Sequence, residues 1–597
     1  MVMDGAVIPN PYRFRLAMGG GLSIFDAKTT RDVRLHLGGY TAEYGNALAS
    51  VMEVETREGD LQRFKLGGGI NLTDAGAVFE GPLAKRRISF LLSGRRTYFD
   101  VLARRLDKKN NAVYPYFYDL TNKWLFHLNE KNKITLAVAT SREATELPSV
   151  FADAVTLSEG AQTRHAMLSW KSWRSERVLF ETLISYYRDE MSFRAFAPVD
   201  TSFAEADSTI ATDYENLNSR IRRFSFQQKL RVKLREHHWL NAGLSAAHVD
   251  SKIDFRSLER NFYFARNDIP RDIRFDEKQN FYAAYVEHTS EFNEKFQLRL
   301  GLRYDYATLV NQSELSHRLS AWYKLGEHTT LEGAWGEVYQ YPDPLTLSIR
   351  DQPLEIGANL RLLTAEKSTQ KVLGLKRGLS ATLKAGLELY HLDIDRLLIS
   401  EDRETFEPFN QGRGRLQGLE LVLEKEASAT SGLAGLLSYS LGSAQYHNLK
   451  SKQWLPFNYD RRQALTLWLN QRVRRHWQVS LLWRYASGLP YTDVLGVQIF
   501  RNSKGQTYWN FICGPRNAKR FPAYQRLDAR LSYVTRSAGR SFTLYLDLIN
   551  LYDHKNVYNL TWEKALNASS GSSPEAAKRR TIYMLPFLPS LGLQFEL

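Results

Sequence analysis

Acidic residues stand in close pairs along this sequence, as in Asp393 with Asp395 and Glu401 with Asp402. Paired carboxylates are what acid–base hydrolysis of a glycosidic bond requires. Polar loops also bring such pairs together by chance, and nothing in this spacing sets these apart, so no catalytic residue is assigned and no enzymatic activity is expected. The doublet His237-His238 would send its imidazoles to opposite faces of a strand, which makes a poor metal site. Gly412-Arg413-Gly414-Arg415-Leu416-Gln417-Gly418 has the flavour of a phosphate-binding loop, but its spacing is wrong and no βαβ unit surrounds it, so it reads as a loop entering a strand. Gly19-Gly20-Gly21 reads as a tight turn. The single cysteine, Cys513, leaves no partner for an internal disulfide and no multi-cysteine metal centre. Neither a cofactor nor a metal is expected.

The elements that carry these residues read as strands. Phe296, Leu298, Leu300, Leu302, Tyr304 and Tyr306 alternate with Gln297, Arg299, Gly301, Arg303 and Asp305, and Phe542, Leu544, Leu546 and Leu548 alternate with Thr543, Tyr545 and Asp547. Such strands are apolar on one face only. No apolar run reaches the roughly 18 residues of a spanning helix, but a barrel strand spans with about 9 to 11 residues, half of them facing lipid. A mean hydropathy of -0.41 therefore excludes helical spans and not membranes. The 31 Tyr and 12 Trp fit either interfacial belts or sugar-binding surfaces. The formal charge of +15 is scattered along the chain rather than gathered in a block, so nucleic acid is not an expected partner.

Connections separate a membrane barrel from a soluble sandwich. Tight polar turns read at Lys85-Arg86, Glu130-Lys131-Asn132, Arg174-Ser175-Glu176, Arg235-Glu236, Asn293-Glu294, Gly326-Glu327, Gly378-Leu379, Val473-Arg474 and Ser537-Ala538-Gly539. Longer links lie between them, at 99–118, 141–160, 190–216, 251–278, 341–364, 397–412, 446–460, 488–523 and 553–586. Short turns on one rim and long loops on the other are the asymmetry of an outer-membrane barrel, and the strand count comes to roughly 22. The final segment, with Leu591, Leu593, Phe595 and Leu597 on one face, fits a last strand that closes on the first. The fold class expected is all-β, a transmembrane antiparallel barrel over 61–597. Residues 1–60, rich in glycine turns and too few for a secure core of their own, are expected to pack inside it.

Leu37-Gly38-Gly39-Tyr40-Thr41-Ala42-Glu43-Tyr44-Gly45, followed by Ser50 to Gly59 with its Thr56-Arg57-Glu58-Gly59 exit, resembles the end of the plug domain of TonB-dependent receptors, closest to the branch common in Bacteroidetes. Asp4-Gly5 and Asn10-Pro11-Tyr12 resemble earlier plug turns. Ser93-Gly94-Arg95-Arg96-Thr97-Tyr98, Gly301-Leu302-Arg303-Tyr304, Tyr459-Asp460-Arg461-Arg462, Ser487-Gly488-Leu489-Pro490-Tyr491 and Asn550-Leu551-Tyr552-Asp553 extend the likeness through the barrel. The resemblance implies energy-coupled uptake of a scarce ligand (a siderophore, cobalamin, an oligosaccharide or a peptide) across the bacterial outer membrane. Its partners would be a TonB-type energy-coupling protein, outer-membrane lipid and a surface lipoprotein. Residues 1–60 would be the C-terminal part of the plug. Met1 opens neither a signal peptide nor the segment that contacts TonB, so both are expected upstream. A basic residue often precedes the Gly-Gly in this family, and Leu37 holds that place here.

Within the motif, which is expected to be structural or gating, Gly38, Gly39 and Gly45 read as backbone requirements and Glu43 and Tyr44 as polar anchors of the plug against the lumen wall, while Thr56, Arg57 and Gly59 belong to the exit that leads into the first barrel strand. Direct ligand contact is the alternative role. Arg95 and Arg96 are candidates for plug–barrel contact, and as strand neighbours only one of them points inward. Tyr12 and Arg13 are the candidate ligand contacts at the plug apex. Two rival readings of the chain are a passive or structural outer-membrane barrel, such as an adhesin or assembly factor, and a soluble all-β carbohydrate-active enzyme.

Overall fold

The computed structural model describes residues 1–597 apart from 15–21, 99, 102–112, 148–155, 198–212, 260–268, 343–357, 400–408, 429–431, 450, 502–506 and 565–576. From Lys65–Ile70 to Leu588–Glu596 the chain forms a closed antiparallel barrel of 22 strands, each paired with its neighbour in sequence. Gln453–Pro456 and Gln463–Arg472 both pair with Leu433–Asn448 and make up one interrupted strand. Closure comes from Leu588–Glu596 against Lys65–Ile70, with Leu66 and Leu597 exchanging amide–carbonyl bonds of 3.1 and 2.8 Å beyond the ladder.

The alternation seen in sequence sets the two faces of the wall. On Phe296–Ala307, Leu302 is 49% exposed and Arg303 8%, because the apolar set faces outward and the polar set inward. In a bilayer that outward face meets lipid. Strand length varies round the ring. Asp213–Arg235 and Ile269–Glu291 have 23 residues each, whereas Trp477–Ala486 and Arg540–Ile549 have 10. The second pair is about what a bilayer needs and the first stands far above it.

Tight turns occupy one rim close to where they were expected, with two differences. The turn expected at Gly378-Leu379 falls at Ala381-Thr382, because the ladder with Leu383–Ile399 continues through Gly378 and Ser380. A further connection joins Lys425 to Leu433 on the same rim. At the other rim several expected loops are strand over much of their length. Thr156–Ser175 and Val178–Ala197 stay paired to Thr156 and Phe196, since a polar ribbon above the lipid still satisfies its backbone by pairing. That rim also has short links, at 71–73 and 308–311, which the sequence pattern did not separate from strand. The Gly412–Gly418 stretch likewise lies within a strand, Phe409–Lys425.

The first 56 residues form a four-stranded sheet in the order Ala6–Val7, Val2–Met3, Val51–Thr56, Thr30–His36, and a small hairpin, Tyr12–Arg13 with Leu22–Ser23. The sheet completes its core with wall residues. Met3, Ile8 and Val54 pack with Tyr187, Ala6 packs with Met167 and Leu183, and Val2, Tyr40 and Val51 pack with Val338. All four wall residues face inward, so the unit lies in the lumen as a plug.

Leu302→Arg places a cation on the outward face, and is expected to lower unfolding stability in lipid vesicles by about 2–4 kcal/mol if that position is near the midplane. Urea titration of heat-modifiable gel migration reads the change.

Candidate functional site

Three clusters of contacts grip the plug, beside single bonds such as those of Asn10 with Asp189 and Asn46 with Tyr341. The first is the loop that leaves Thr30–His36. Gly39 has a φ of 60°, and a Cβ there would come within 2.3 Å of the Ala334 Cβ, so glycine is required twice over. Its amide donates to Gln370 Oε1 at 3.2 Å and its carbonyl accepts from Arg299 Nη2 at 3.1 Å. The Arg318 guanidinium donates to the Thr41 carbonyl and lies 4.8 Å from the centre of the Tyr40 ring. Tyr40 is buried, its hydroxyl donates to the Ala47 carbonyl at 2.6 Å, and burial pushes that hydroxyl up to about 12. Arg303 Nη1 donates to the carbonyls of Ala42 and Glu43 at 3.1 and 2.8 Å, while Asp305 holds its other side at 2.8 Å. The Ala42 amide donates to Glu287 Oε2 at 2.9 Å, and Glu43 pairs with Lys229 at 2.6 Å. A Cβ on Gly45 would meet Arg303 Nε at 2.3 Å, whereas one on Gly38 would press on the Val372 side chain at 2.8 Å. Tyr44 lies over His36 with ring centres 6.2 Å apart, and burial, then the charges of Glu43 and Glu53, push its hydroxyl up.

The second grip is the exit from the plug. Lys123 Nζ reaches Asp4 Oδ2 at 3.2 Å, the Thr56 hydroxyl at 2.8 Å and the Thr56 carbonyl at 3.0 Å. Arg57 bridges the Lys28 carbonyl at 2.7 Å and Glu80 at 3.1 Å, and Glu58 pairs with Lys133 at 2.7 Å. Gly59 runs so close to the wall that a Cβ would stand 2.1 Å from the Phe90 carbonyl oxygen.

The third grip is the hairpin. Arg13 is wholly buried; it ion-pairs with Asp119, hydrogen-bonds Ser141, approaches Glu143 at 3.5 Å and lies 4.2 Å from the Phe117 ring centre. Arg95 holds the other oxygen of Asp119 at 2.7 Å. Of the two strand arginines, then, Arg95 faces inward and reaches the plug through a shared carboxylate, while Arg96 is exposed and 3.7 Å from Asp100. The two residues expected at a ligand-facing apex are parted. Tyr12 is half exposed, but Arg13 is enclosed by wall carboxylates, as the inward side of a two-residue strand must be.

The wall residues of these grips, Arg299, Arg303, Arg318, Glu287, Lys229 and Lys123, were not singled out from sequence. Their signal was present in part. Arg299 and Arg303 fall on the polar face of an alternating strand, and a cation facing a lumen needs an acceptor there.

Beyond the plug on the tall side, the inner wall of the vestibule carries an apolar cluster among buried polar residues such as Ser219 and Ser251. Met191, Leu217, Ile221, Ile253, Phe255 and Phe275 form a cluster, covered by Leu360 and Leu363 from the short helix Ala358–Leu362 and the residue after it. Asn410 ties down the base of this cover by accepting from the Thr364 amide at 2.7 Å and donating to its carbonyl at 3.0 Å. Tyr339 and Tyr341 are buried, and the Tyr341 amide donates to Asn46 of the plug at 2.8 Å. Trp454 stays exposed, 5.0 Å from Arg415. Among the described residues no group of three or more His, Cys, Asp or Glu converges on a metal site.

A wide barrel gripping a small glycine-cornered sheet invites comparison with known proteins. Residues 157–551 match the family model described as TonB dependent receptor-like, beta-barrel. The chain belongs to the TonB-dependent receptor family. As a TonB-dependent receptor it lies in the bacterial outer membrane and serves TonB-dependent uptake there. The ferripyoverdine receptor of Pseudomonas aeruginosa is similar at 12% identity, covering 100% of this chain and 79% of that one with a TM-score of 0.71. The ferric enterobactin receptor of the same organism is similar at 14% identity (100% and 90%, TM-score 0.66), and the ferric-catecholate import receptor Fiu of Escherichia coli at 12% (93% and 84%, TM-score 0.65). At such identities the likeness is one of fold. A search of curated protein sequences gives no match.

Arg303→Ala would strip two plug carbonyls and Asp305 of their cation. It is expected to weaken plug docking by about 3–5 kcal/mol and to raise single-channel conductance in a planar bilayer. Two plug carboxylates should make the plug acid-sensitive, Glu58 through its bond to Lys133 of the wall and Glu53 through the plug's own fold, where its partners are His36 and Arg34. Glu53 sits below 4.5, chiefly because of the neighbouring His36 imidazole, and so does Glu58, where burial is the largest single influence and opposes ionisation but is outweighed by the Lys133 bond together with the charges of Lys133, Lys123 and Arg31. Depressed folded values mean their stabilisation is complete above the unfolded value and is lost as pH falls through the folded one. Conductance is expected to be level between about pH 7 and 5 and to rise below about pH 4.

Proposed function

We propose that the protein imports a ferric chelate, with residues 1–60 serving as the plug, 61–597 as the barrel, and the grip on the Gly39–Gly45 loop as the lock that TonB-driven force releases. The observation that carries this is the chemistry of the lock. Arg299, Arg303 and Arg318 hold main-chain carbonyls of the plug rather than an apolar surface. Water can take over both ends of such bonds when they part, so the apolar cost of leaving the wall falls chiefly on the contact of Tyr40 with Val338. An inert plug needs no such arrangement.

The ligand class rests on different support. The similar solved structures include receptors described by ferric-catecholate, ferripyoverdine and ferric enterobactin ligands. In this chain half-exposed Tyr12 offers a flat aromatic surface of the sort an aromatic chelate would use.

The test is accumulation of radiolabelled iron by iron-starved cells producing the protein, supplied as a ferric catecholate or a ferripyoverdine, with the TonB protein present or deleted. Uptake only when TonB is present is the expected result. Uptake independent of TonB would favour a passive barrel, and TonB-dependent uptake of cobalamin or an oligosaccharide in place of iron would move the ligand class.

A further inference from the structure

The outward face of the tall wall carries an arrangement that uptake does not account for. Arg164, Arg188 and Arg222 are direct cross-strand partners on three successive strands, Arg164 opposite Arg188 and Arg188 opposite Arg222. Their sequence neighbours fix the direction. Asp189 faces inward, accepting from Asn10 of the plug at 3.2 Å, and Ile221 is buried in the vestibule cluster, so Arg188 and Arg222 point away from the lumen.

Like charges directly opposite one another destabilise a sheet. Here the charge is reinforced in the next row, where Arg220 lies beside Lys252. Arg142 stands in that row too, two strands from Glu190. Neighbouring carboxylates answer only part of this charge. Glu190 takes Arg188 at 2.5 Å, Asp276 takes Lys252 at 2.8 Å, and Asp250 stands 4.0 Å from Arg222. Among the described residues Arg142, Arg164 and Arg220 form no ion pair, and the Nε atoms of Arg188, Arg220 and Arg222 have no acceptor.

Height decides what meets this surface. Tyr186 and Phe224, partners of one another and both exposed outward, lie two residues nearer the periplasmic rim than Arg188 and Arg222. Below them come Ile184 and Phe226, also outward and exposed. The arginine row therefore begins about 7 Å above an aromatic and aliphatic band, which is the level of lipid headgroups. Guanidinium groups match phosphate oxygens in forked pairs, and clustered Lys and Arg at a membrane surface attract anionic headgroups.

From this we infer that the Arg164–Arg188–Arg222 row, extended by Arg142, Arg220 and Lys252, is a binding site for a phosphorylated lipid headgroup of the outer leaflet. The lipid bridges strands that would otherwise repel, and so steadies the tall wall that frames the vestibule.

Native mass spectrometry of the detergent-solubilised protein with bis-phosphorylated lipid A tests it. The comparisons are lipid A stripped of both phosphates, inorganic phosphate as competitor, and the triple variant Arg164→Gln, Arg188→Gln, Arg222→Gln. The expected result is a retained bis-phosphorylated adduct, with affinity lower by about a hundredfold in the triple variant and for the stripped lipid. Millimolar inorganic phosphate should leave the adduct in place. Equal retention of stripped lipid by the unaltered protein overturns the inference, and this arm stands even if the triple variant does not fold. Unchanged binding by a triple variant that keeps heat-modifiable migration overturns it as well. Displacement by inorganic phosphate would mark a simple anion site and overturn the assignment to lipid.

Discussion

In hydrocarbon an unpaired backbone amide costs several kilocalories per mole, so a sheet that crosses a bilayer has to close on itself. That requirement explains most of what is seen here. Closing 22 strands encloses a lumen too wide for side chains to fill, and alternation along each strand makes the lumen face polar wherever the outer face is apolar. A polar wall around a wide hole holds a plug largely by charge and hydrogen bonds, beside a few apolar seats such as Tyr187, Leu183 and Val338. The grips on Arg13, on the Gly39–Gly45 loop and on the Thr56–Gly59 exit are the form this takes.

The grip on the Gly39–Gly45 loop has an unsymmetrical division of labour. On the wall side it needs particular side chains, Arg299, Arg303, Arg318, Glu287 and Gln370; on the plug side it uses mostly main-chain carbonyls and amides, with the Glu43 carboxylate on Lys229 and the Tyr40 ring against Arg318 as the side-chain exceptions. What the plug must contribute is access. Gly39 abuts Ala334 and Gly45 abuts Arg303 at distances that no side chain allows without displacement. This also explains how Leu37 is tolerated where related sequences often carry a cation. Here the cations come from the wall to the loop.

Much of the barrel was legible because period-two alternation and turn chemistry are local signals. Leu298 to Tyr306 declared both faces of one strand, and nearly every periplasmic turn fell within a residue or two of its expected place. Strand ends at the outer rim were not legible. Above the lipid the outward face of a ribbon is wet and the inward face mixes apolar with polar side chains, alternation fades, and Thr156–Ser175 looks like loop for its first residues. The motif glycines were readable as backbone positions, whereas their partners sit as much as 331 residues away in sequence, as Gln370 does from Gly39. The burial of Arg13 was illegible for the same reason: its enclosing carboxylates, Asp119 and Glu143, come from other strands.

The seam between Lys65–Ile70 and Leu588–Glu596 is held by four residue partnerships, from Ile70 with Leu593 to Gly67 with Glu596, where Asp213–Arg235 and His238–Glu259 share a ladder along nearly their whole length. It joins segments from opposite ends of the chain. Contacts of such long separation form late, since the entropy of closing the loop between them is lost before any bond is gained. Until that seam closes, the sheet has two unpaired borders. The border that waits longest is six residues long with three successive glycines, a poor template for a stray strand. A seam this short is also where the finished ring would part first under strain, which makes the order of zipping and the order of tearing mirror images.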